Sequence, residues 1–280
     1  MALLHAFLRY RPDGRPAVAT FDHGSGTAAA SAVELVVNEC LRQGVTVMAG
    51  RRGNHPVTKA RTESAWREAR WAWLRAVAEE RRAIIVTAHT LDDQAETVAI
   101  RILRGASARG LAAMASPAAG VVRPLLGVRR AALAAYATRE AVAFLDDPSN
   151  AESRFLRNRL RADLMRAAES AHVGFSADLV ALGVRAATWR AGLADVVDTL
   201  GARPVADALV VDVQPLASLT RDGLGIVWPE LAARVGVVMD RRGIARAAAW
   251  TPRAKAGQRV PLSGGAVLER TARTFVIRPG

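Results

Sequence analysis

The chain has 280 residues, more than one domain of the commonest size needs, and its 51% hydrophobic and 23% charged residues exclude an intrinsically disordered protein. No apolar run approaches the roughly 20 residues of a membrane helix, and a single cysteine, Cys40, excludes an internal disulfide framework or a Cys-x-x-Cys site. We therefore expect a cytoplasmic protein. The net charge of +13 favours a nucleic-acid partner, although the arginine codons of a GC-rich genome would also explain it.

The first half of the chain alternates short apolar runs with helical stretches, which is the pattern of βαβ units around a parallel sheet. The predicted strands are 16–21, 45–48, 83–87 and 121–123. The predicted helices are 27–42, 62–81, 91–104 and 129–139. The pattern predicts an α/β domain over residues 1–165, ending after a turn at 146–150.

The remainder of the chain, residues 166–280, is predicted to form a smaller domain. Helical spacing continues to about residue 200, and the alternating segments around Val260 and Phe275 predict a small hairpin. We therefore expect this second domain to be mostly helical.

The strongest candidate site lies where the strand at 83–87 passes into the helix at 91–104. In open α/β sheets ligands bind at the carboxyl ends of the strands. Asp93 and Glu96 are three residues apart and share one helix face, and Asp92 lies at the positive end of the helix dipole. This face could bind Mg²⁺ or an ammonium group, or the acids could only favour the helix start. A metallohydrolase using His89 with Asp92 and Asp93 lacks further histidines at ligand spacing.

Several motifs resemble those of one enzyme family. The segment T-A-H-T-L-D-D-Q-A-E-T at 87–97, with R-I-L-R-G after it, resembles the signature of the tRNA(Ile)-lysidine synthetases, a branch of the N-type ATP pyrophosphatases. Further similar motifs follow in the family's order: D-H-G at 22–24, R-E-A-R-W at 67–71, R-P-L-L at 123–126, D-P-S-N at 147–150 and R-N-R-L-R at 157–161. Each motif alone is weak, and the resemblance depends on their common order.

The resemblance implies an adenine nucleotide alpha hydrolase-like fold and a ligase that uses ATP and Mg²⁺. Its substrates would be L-lysine and the isoleucine tRNA with a CAU anticodon, whose wobble cytidine is first adenylated and then joined to lysine. The second domain would help to bind the tRNA, and a homodimer stays open. A chain of this family that binds tRNA without catalysis is the alternative. Thiolation of tRNA by a related enzyme needs cysteines that Cys40 alone does not supply.

The resemblance also assigns roles to residues. Asp93 and Glu96 would hold the lysine ammonium or Mg²⁺, and His89 would position the nucleotide or the base. Arg67, Arg70 and Arg157 would counter phosphate charge. For Arg67 and Arg70 the alternative is a solvated helix face. The residues that would contact ATP are Asp22, His23 and Gly24. Contact with tRNA phosphates, rather than ordinary surface charge, is the role expected of Arg154, Arg157, Arg159 and Arg161.

One departure concerns the phosphate-binding loop. Family members carry S-G-G-x-D-S, whose backbone N–H groups surround the pyrophosphate. Here Ser-Gly-Gly occurs at 263–265 without Asp-Ser after it, which predicts a plain turn. Residues 1–5 align with the helix that follows the family's loop, so we expect the first strand and that loop to lie upstream of residue 1, with Met1 an internal methionine. True loss of the loop is the alternative. After D-H-G the chain continues G-S-G-T instead of Leu-Arg, which weakens the assignment of Asp22 and His23.

Overall fold

A computed structural model of the chain describes residues 1–22, 27–51, 63–115, 120–145 and 156–280. The chain divides into two compact units, Met1–Ala187 and Thr188–Gly280. This division lies further along the chain than the predicted domain boundary at residue 165. The reason is that Leu160, Met165 and Leu179 belong to the same buried cluster as residues of the helix after the third strand. None of the described helices is long and apolar enough to cross a membrane.

The N-terminal unit contains two pairs of parallel strands. β1 (Ala17–Asp22) pairs with β2 (Thr46–Arg51), and β3 (Ile85–Val86) pairs with β4 (Val121–Val122). The helices that connect and flank these strands are α1 (Ala2–Tyr10), α2 (Thr27–Arg42), α3 (Glu63–Glu80), α4 (Leu91–Leu103), α5 (Ala108–Leu111) and α6 (Arg130–Arg139). The predicted α/β class with a parallel sheet is confirmed.

The N-terminal unit continues through a series of helices after β4 and α6. They are α7 (Leu156–Arg159), a π-helical turn (Leu160–Met165), α8 (Arg166–Ala171) and the first part of α9 (Phe175–Asp198). Leu160 and Met165 are buried against Ala95 and Val98 of α4. This packing brings the arginines of 157–161 to the face of α4 that carries the predicted acids.

The C-terminal unit contains a five-stranded antiparallel sheet beside its helices. The predicted hairpin is part of this sheet, and its other strands were not predicted. The strands, in chain order, are β5 (Arg203–Val205), β6 (Ala208–Asp212), β7 (Arg259–Pro261), β8 (Val267–Arg270) and β9 (Thr274–Arg278). Their order in the sheet is β5-β6-β9-β8-β7. The helices are α10 (Val213–Ala217), α11 (Arg221–Ala233) and α12 (Arg241–Trp250). Residues 263–265 form the predicted turn, in which Gly264 has a φ of 66°.

Candidate functional site

The start of α4 is held by a reciprocal capping interaction. The hydroxyl of Thr90 accepts a hydrogen bond from the backbone N–H of Asp93 at 3.2 Å, and the Asp93 carboxylate accepts one from the backbone N–H of Thr90 at 2.8 Å. Such a box satisfies two N–H groups that the first turn leaves unpaired. One oxygen of Asp93 is thereby fixed, and the other, Oδ1, faces the neighbouring arginines.

Glu96 lies one turn further along α4 and is the centre of an arginine cluster. Its side chain is only 3% exposed. One oxygen accepts from Arg161 Nε at 2.7 Å and from Arg130 Nη2 at 3.2 Å. The other accepts from Arg157 Nε at 2.8 Å and from Arg161 Nη2 at 3.1 Å. Burial of an ionised carboxylate costs free energy, and here several charged donors offset that cost.

Arg130, at the start of α6, joins this cluster although the sequence analysis did not single it out. Its Nη2 lies 3.0 Å from Asp93 Oδ1, and its backbone N–H donates to Asp92 Oδ2 at 2.7 Å. Arg129 Nε lies 3.6 Å from Asp92 Oδ1. Two arginines at a helix N-terminus oppose the helix dipole. That local conflict was a sequence signal for an acidic partner elsewhere in the fold.

Two of the three carboxylates of α4, those of Asp93 and Glu96, stay ionised in this environment. Burial alone would raise the pKa of Glu96, but the hydrogen bond from Arg161 and the charges of Arg157 and Arg130 outweigh it, so the pKa lies below its usual value. Burial opposes ionisation of Asp93 as well. Its hydrogen bonds from Thr90, followed by the arginine charges, lower the pKa all the same. Both groups therefore act as anions that hold arginines at neutral pH.

His89 lies between β3 and α4 and is neutral at physiological pH. Its Nδ1 is 2.8 Å from the hydroxyl of Thr87. Burial is the main cause that lowers its pKa to about 4; Asp93 opposes this shift, and Arg67, Arg123 and Arg70 add to it. A neutral imidazole can donate and accept one hydrogen bond each, which suits it to orient a polar ligand.

The surroundings of His89 are rich in positive charge. Burial, followed by repulsion from Arg67 and Arg157, lowers the pKa of Arg70. The Nε of Arg123 is buried and has no hydrogen-bond partner within the part of the chain that the structure describes. Arg70, His89 and Thr87 also border a cavity of about 510 Å³ beside β1 and β3. Arginines at the carboxyl ends of parallel strands fit an anionic ligand such as a nucleotide phosphate.

Comparison with known proteins agrees with this arrangement. The sequence pattern of a PP-loop domain matches residues 1–168. The chain belongs to the PP-loop family. The match supports ATP as a ligand of the N-terminal PP-loop domain. The positive charge of Arg70 and Arg123 near His89 agrees with an anionic ligand of this kind.

Relatives of this PP-loop protein include named tRNA-modifying enzymes. A tRNA(Ile)-lysidine synthase of Mesorhizobium japonicum is 33% identical over 92% of this chain and 59% of its own length. Another, from Rhodopseudomonas palustris, is 42% identical over 63% of this chain and 52% of its own. The resemblance predicted from the motifs is confirmed, and the chain spans little more than half the length of these two relatives.

A solved structure of another protein is similar to this chain in its fold. A U34-tRNA thiolase from Methanococcus maripaludis, described with its iron–sulfur cluster, has a TM-score of 0.56 to this chain at 17% identity. The similarity covers 65% of each chain.

The PP-loop domain brings several predicted site residues into one place. Asp93, Glu96, Arg157 and Arg161 are in direct contact, as described above. His89 lies close enough to be affected by the charges of Asp93, Arg67 and Arg70. The roles predicted for these residues in binding or catalysis stay predictions.

Other predicted residues of the PP-loop domain lie elsewhere or outside the described residues. Asp22 ends β1 and pairs with Arg51 of β2, with 3.4 Å between Oδ2 and Nε. Arg159 is exposed on α7. The predicted contacts that fall outside the described residues are His23, Gly24 and Arg154. The S-G-G-x-D-S loop expected before residue 1 stays a prediction.

The predicted magnesium site at Asp93 and Glu96 also stays a prediction. Both oxygens of Glu96 already accept hydrogen bonds from guanidinium groups. The described ranges contain no group of three or more His, Cys, Asp or Glu residues that could hold a metal ion.

Proposed function

We propose that this PP-loop protein takes part in lysidine synthesis, the ATP-dependent joining of lysine to the wobble cytidine of the isoleucine tRNA with a CAU anticodon. The observation that carries the proposal is the contact between Glu96 and Arg157, 2.8 Å apart, beside Asp93 at the carboxyl end of β3. The similarity to a tRNA(Ile)-lysidine synthase over 92% of the chain supports it.

The proposed chemistry needs both cations and a carboxylate. Carbon 2 of cytidine is a poor electrophile, and ATP supplies an adenylyl group to the base oxygen, so that AMP becomes a leaving group. An amine of lysine then forms the new C–N bond and gives up a proton. Cationic groups must stabilise the phosphate charge, and an acceptor must be near the amine.

The described side chains can divide these tasks. Arg70 and Arg123 would face phosphate oxygens, and Arg67 would assist them; the Nε of Arg123 lacks a hydrogen-bond partner among the described residues. Neutral His89 would hold the nucleotide or the base by a hydrogen bond rather than by charge. Asp93, with its Oδ1 held by Arg130 at 3.0 Å, is the carboxylate that we assign to the lysine amine.

Glu96 has a different role in this proposal. Because both of its oxygens are bonded to arginines, it would orient Arg157 and Arg161 toward the bound phosphates. Mg²⁺ would then arrive with the phosphates of ATP, as it does in many phosphoryl-transfer sites, with Asp93 rather than Glu96 within its reach.

Binding of tRNA would use arginines at the same edge of the unit. Arg159 is exposed on α7, next to the arginines that contact Glu96, and Arg154 precedes it in the chain. Contacts from arginine to phosphates position RNA without reading its sequence. The net charge of +13 would strengthen such binding at low salt, and a tRNA substrate implies a cytoplasmic location.

The alternative proposal is a protein that binds tRNA but does not catalyse the ligation. The net charge and the exposed Arg159 favour it equally. Thiolation has less support, because the fold neighbour that performs it is described with an iron–sulfur cluster and this chain has only one cysteine.

The test is incorporation of labelled lysine into a transcript of the CAU-anticodon tRNA, with the 280-residue chain and ATP. We expect incorporation that needs ATP, is absent when uridine replaces the wobble cytidine, and falls at least about a hundredfold in Asp93→Asn. The matched control is Glu39→Gln, which alters a surface pair with Arg42. Tight tRNA binding without incorporation would replace the first proposal by the alternative, and absence of both would refute the two together.

A further inference from the structure

One position beside α4 lies within hydrogen-bond distance of both predicted carboxylates, and a side chain of the protein itself fills it. The Nη2 atom of Arg130 lies 3.0 Å from Asp93 Oδ1 and 3.2 Å from Glu96 Oε1. Among the described residues, these two contacts are the only hydrogen bonds that the Arg130 side chain makes. A single nitrogen therefore bridges the two acids.

Arg130 is the least firmly held of the three arginines that contact Glu96. Arg161 donates to both oxygens of Glu96 through two nitrogens, at 2.7 and 3.1 Å. Arg157 donates to Glu96 Oε2 at 2.8 Å and to the carbonyl oxygen of Asp93 at 3.3 Å. The side chain of Arg130 is also the most exposed, at 42% against 27% for Arg157 and 33% for Arg161.

Outward rotation of the Arg130 side chain would affect the two acids differently. Glu96 would keep a hydrogen bond to each oxygen, from Arg161 and from Arg157. Asp93 Oδ1 would keep only Arg157 Nη2, at 3.7 Å, among its described charged neighbours. The backbone N–H of Arg130 donates to Asp92 Oδ2 at 2.7 Å and does not depend on the side chain. The start of α6 can therefore stay in place while the guanidinium moves into solvent.

A primary amine can take the place of this guanidinium nitrogen. An ammonium group carries three N–H donors on one compact nitrogen. Two of them could donate to Asp93 Oδ1 and Glu96 Oε1, which now accept from Arg130 Nη2. The third would stay available for another partner. An amine that approaches Asp93 therefore competes with Arg130 for one position.

We propose that Arg130 occupies the position of the lysine ammonium and blocks it until its side chain turns outward. The inference rests on the proposed function, because that function assigns the lysine amine to Asp93. Phosphate groups bound nearby would favour the outward state, since guanidinium groups form strong charge-assisted hydrogen bonds with phosphate oxygens. Arg130 is thus a positioning residue that opens the amine position when the phosphate-bearing substrates are present.

The experiment titrates the full 280-residue Arg130→Ala variant with L-lysine, without nucleotide or tRNA, and measures binding by calorimetry. We expect saturable binding to the variant. Binding to the wild type should be at least about tenfold weaker, because lysine must first displace two charge-assisted hydrogen bonds of Arg130. Norleucine lacks the side-chain amine and should not bind. Methylguanidine resembles the group that was removed and should compete with lysine for the variant.

The matched control is Arg129→Ala, which removes the same charge from the same end of α6. The side chain of Arg129 is 45% exposed, close to the 42% of Arg130, but its Nε lies 3.6 Å from Asp92 and it makes no described contact with Glu96. Arg129→Ala should therefore bind lysine as weakly as the wild type. Equal lysine binding by the two variants would show that net charge alone matters and would overturn the proposal.

Folding of the variants is checked by circular dichroism. Arg130→Met is the second variant, because it keeps an apolar stem at this position and should bind lysine as Arg130→Ala does. Lysine that methylguanidine does not displace, or a folded variant that does not bind lysine, would refute the proposal and leave Arg130 as an ion pair that only stabilises the fold.

Incorporation of labelled lysine into tRNA by the wild type tests the proposed function separately. Incorporation by the wild type without lysine binding by the variants would refute this inference and leave the proposed function intact. Lysine binding by the variants without incorporation by the wild type would support the role of Arg130 and count against the proposed function.

Discussion

Replacement of Glu96 by glutamine tests whether one buried carboxylate holds the arginine cluster together. The change keeps the shape of the side chain but removes its charge and turns one acceptor oxygen into an N–H donor group. Whichever way the amide is turned, it faces two guanidinium N–H groups with its own N–H groups. Arg130, Arg157 and Arg161 would also lose their shared counter-charge. We therefore expect the N-terminal unit to unfold more easily.

The size of the effect follows from how deeply each partner is buried. Removal of one partner from a buried ion pair typically costs about 3–5 kcal/mol. Glu96 is buried, with 3% of its side chain exposed, but the side chains of Arg130, Arg157 and Arg161 keep 42%, 27% and 33%. Water can therefore solvate the arginines that are left without a partner. We expect a loss at the low end, about 3 kcal/mol in the free energy of unfolding.

The assay must separate the two compact units, because they can unfold in separate transitions. Hydrogen exchange in increasing urea, followed on peptides from α4 and from α11, reports each unit by itself. Glu39→Gln is the control, since Glu39 pairs with an Arg42 side chain that is 69% exposed and should contribute little. A loss below about 1 kcal/mol in α4, or an equal loss in α11, would refute the reasoning.

Three further predictions concern pH and a buried hydrogen bond. The pKa of His89 is about 4 in the folded chain and 6.5 when the side chain is free, so the contribution of neutral His89 to folding stability is complete above pH 6.5 and is lost as the pH falls toward 4. His89→Asn should therefore reduce the difference between the urea midpoints at pH 7 and pH 4 by this contribution. Hydrogen bonds from Ser176 and Gly174 lower the pKa of Glu169 from 4.5 to about 2. The melting temperature of Glu169→Gln should therefore be lower than that of the wild type at pH 7 and equal to it at pH 2. Thr251→Val leaves the buried Nε1–H of Trp228, now 2.8 Å from the hydroxyl, without an acceptor and should cost about 1–3 kcal/mol in chemical denaturation, whereas an unchanged midpoint would contradict this.

Periodicity alone located the helices of the N-terminal unit well. The predicted helix at 27–42 coincides with α2, and the helix predicted at 91–104 differs from α4 by one residue. The strands β5 and β6 were missed. They have three and five residues, and β6 is fixed by pairing with β9, more than sixty residues away. Short strands of this kind depend on distant neighbours rather than on local preference.

The candidate site was predictable where its chemistry follows helix spacing. Asp93 and Glu96 share a face of α4, so their proximity could be read from the chain. The position of Arg157 came from a motif and not from spacing. Arg130 was missed because its contact with Glu96 joins residues 34 apart through the packing of α6, which no local pattern encodes. The pair of arginines at the start of a helix was the available signal, and it was read only as part of that helix.

The balance of charge around α4 also bears on the order in which ligands can bind. Three carboxylates in the cluster face four guanidiniums, so its net charge is 4 − 3 = +1, and neutral His89 adds nothing. A cation such as the lysine ammonium would enter against this excess, which Arg70 and Arg123 nearby increase further. Binding of phosphate-bearing substrates reverses the sign, because each phosphate brings negative charge to the same edge. We therefore expect a lysine titration without nucleotide and tRNA to show no saturable binding, and tight lysine binding under those conditions would contradict the assignment of Asp93 to the amine. If the proposed assignment of Asp93 to the lysine amine is correct, lysine would therefore bind after the phosphate-bearing substrates.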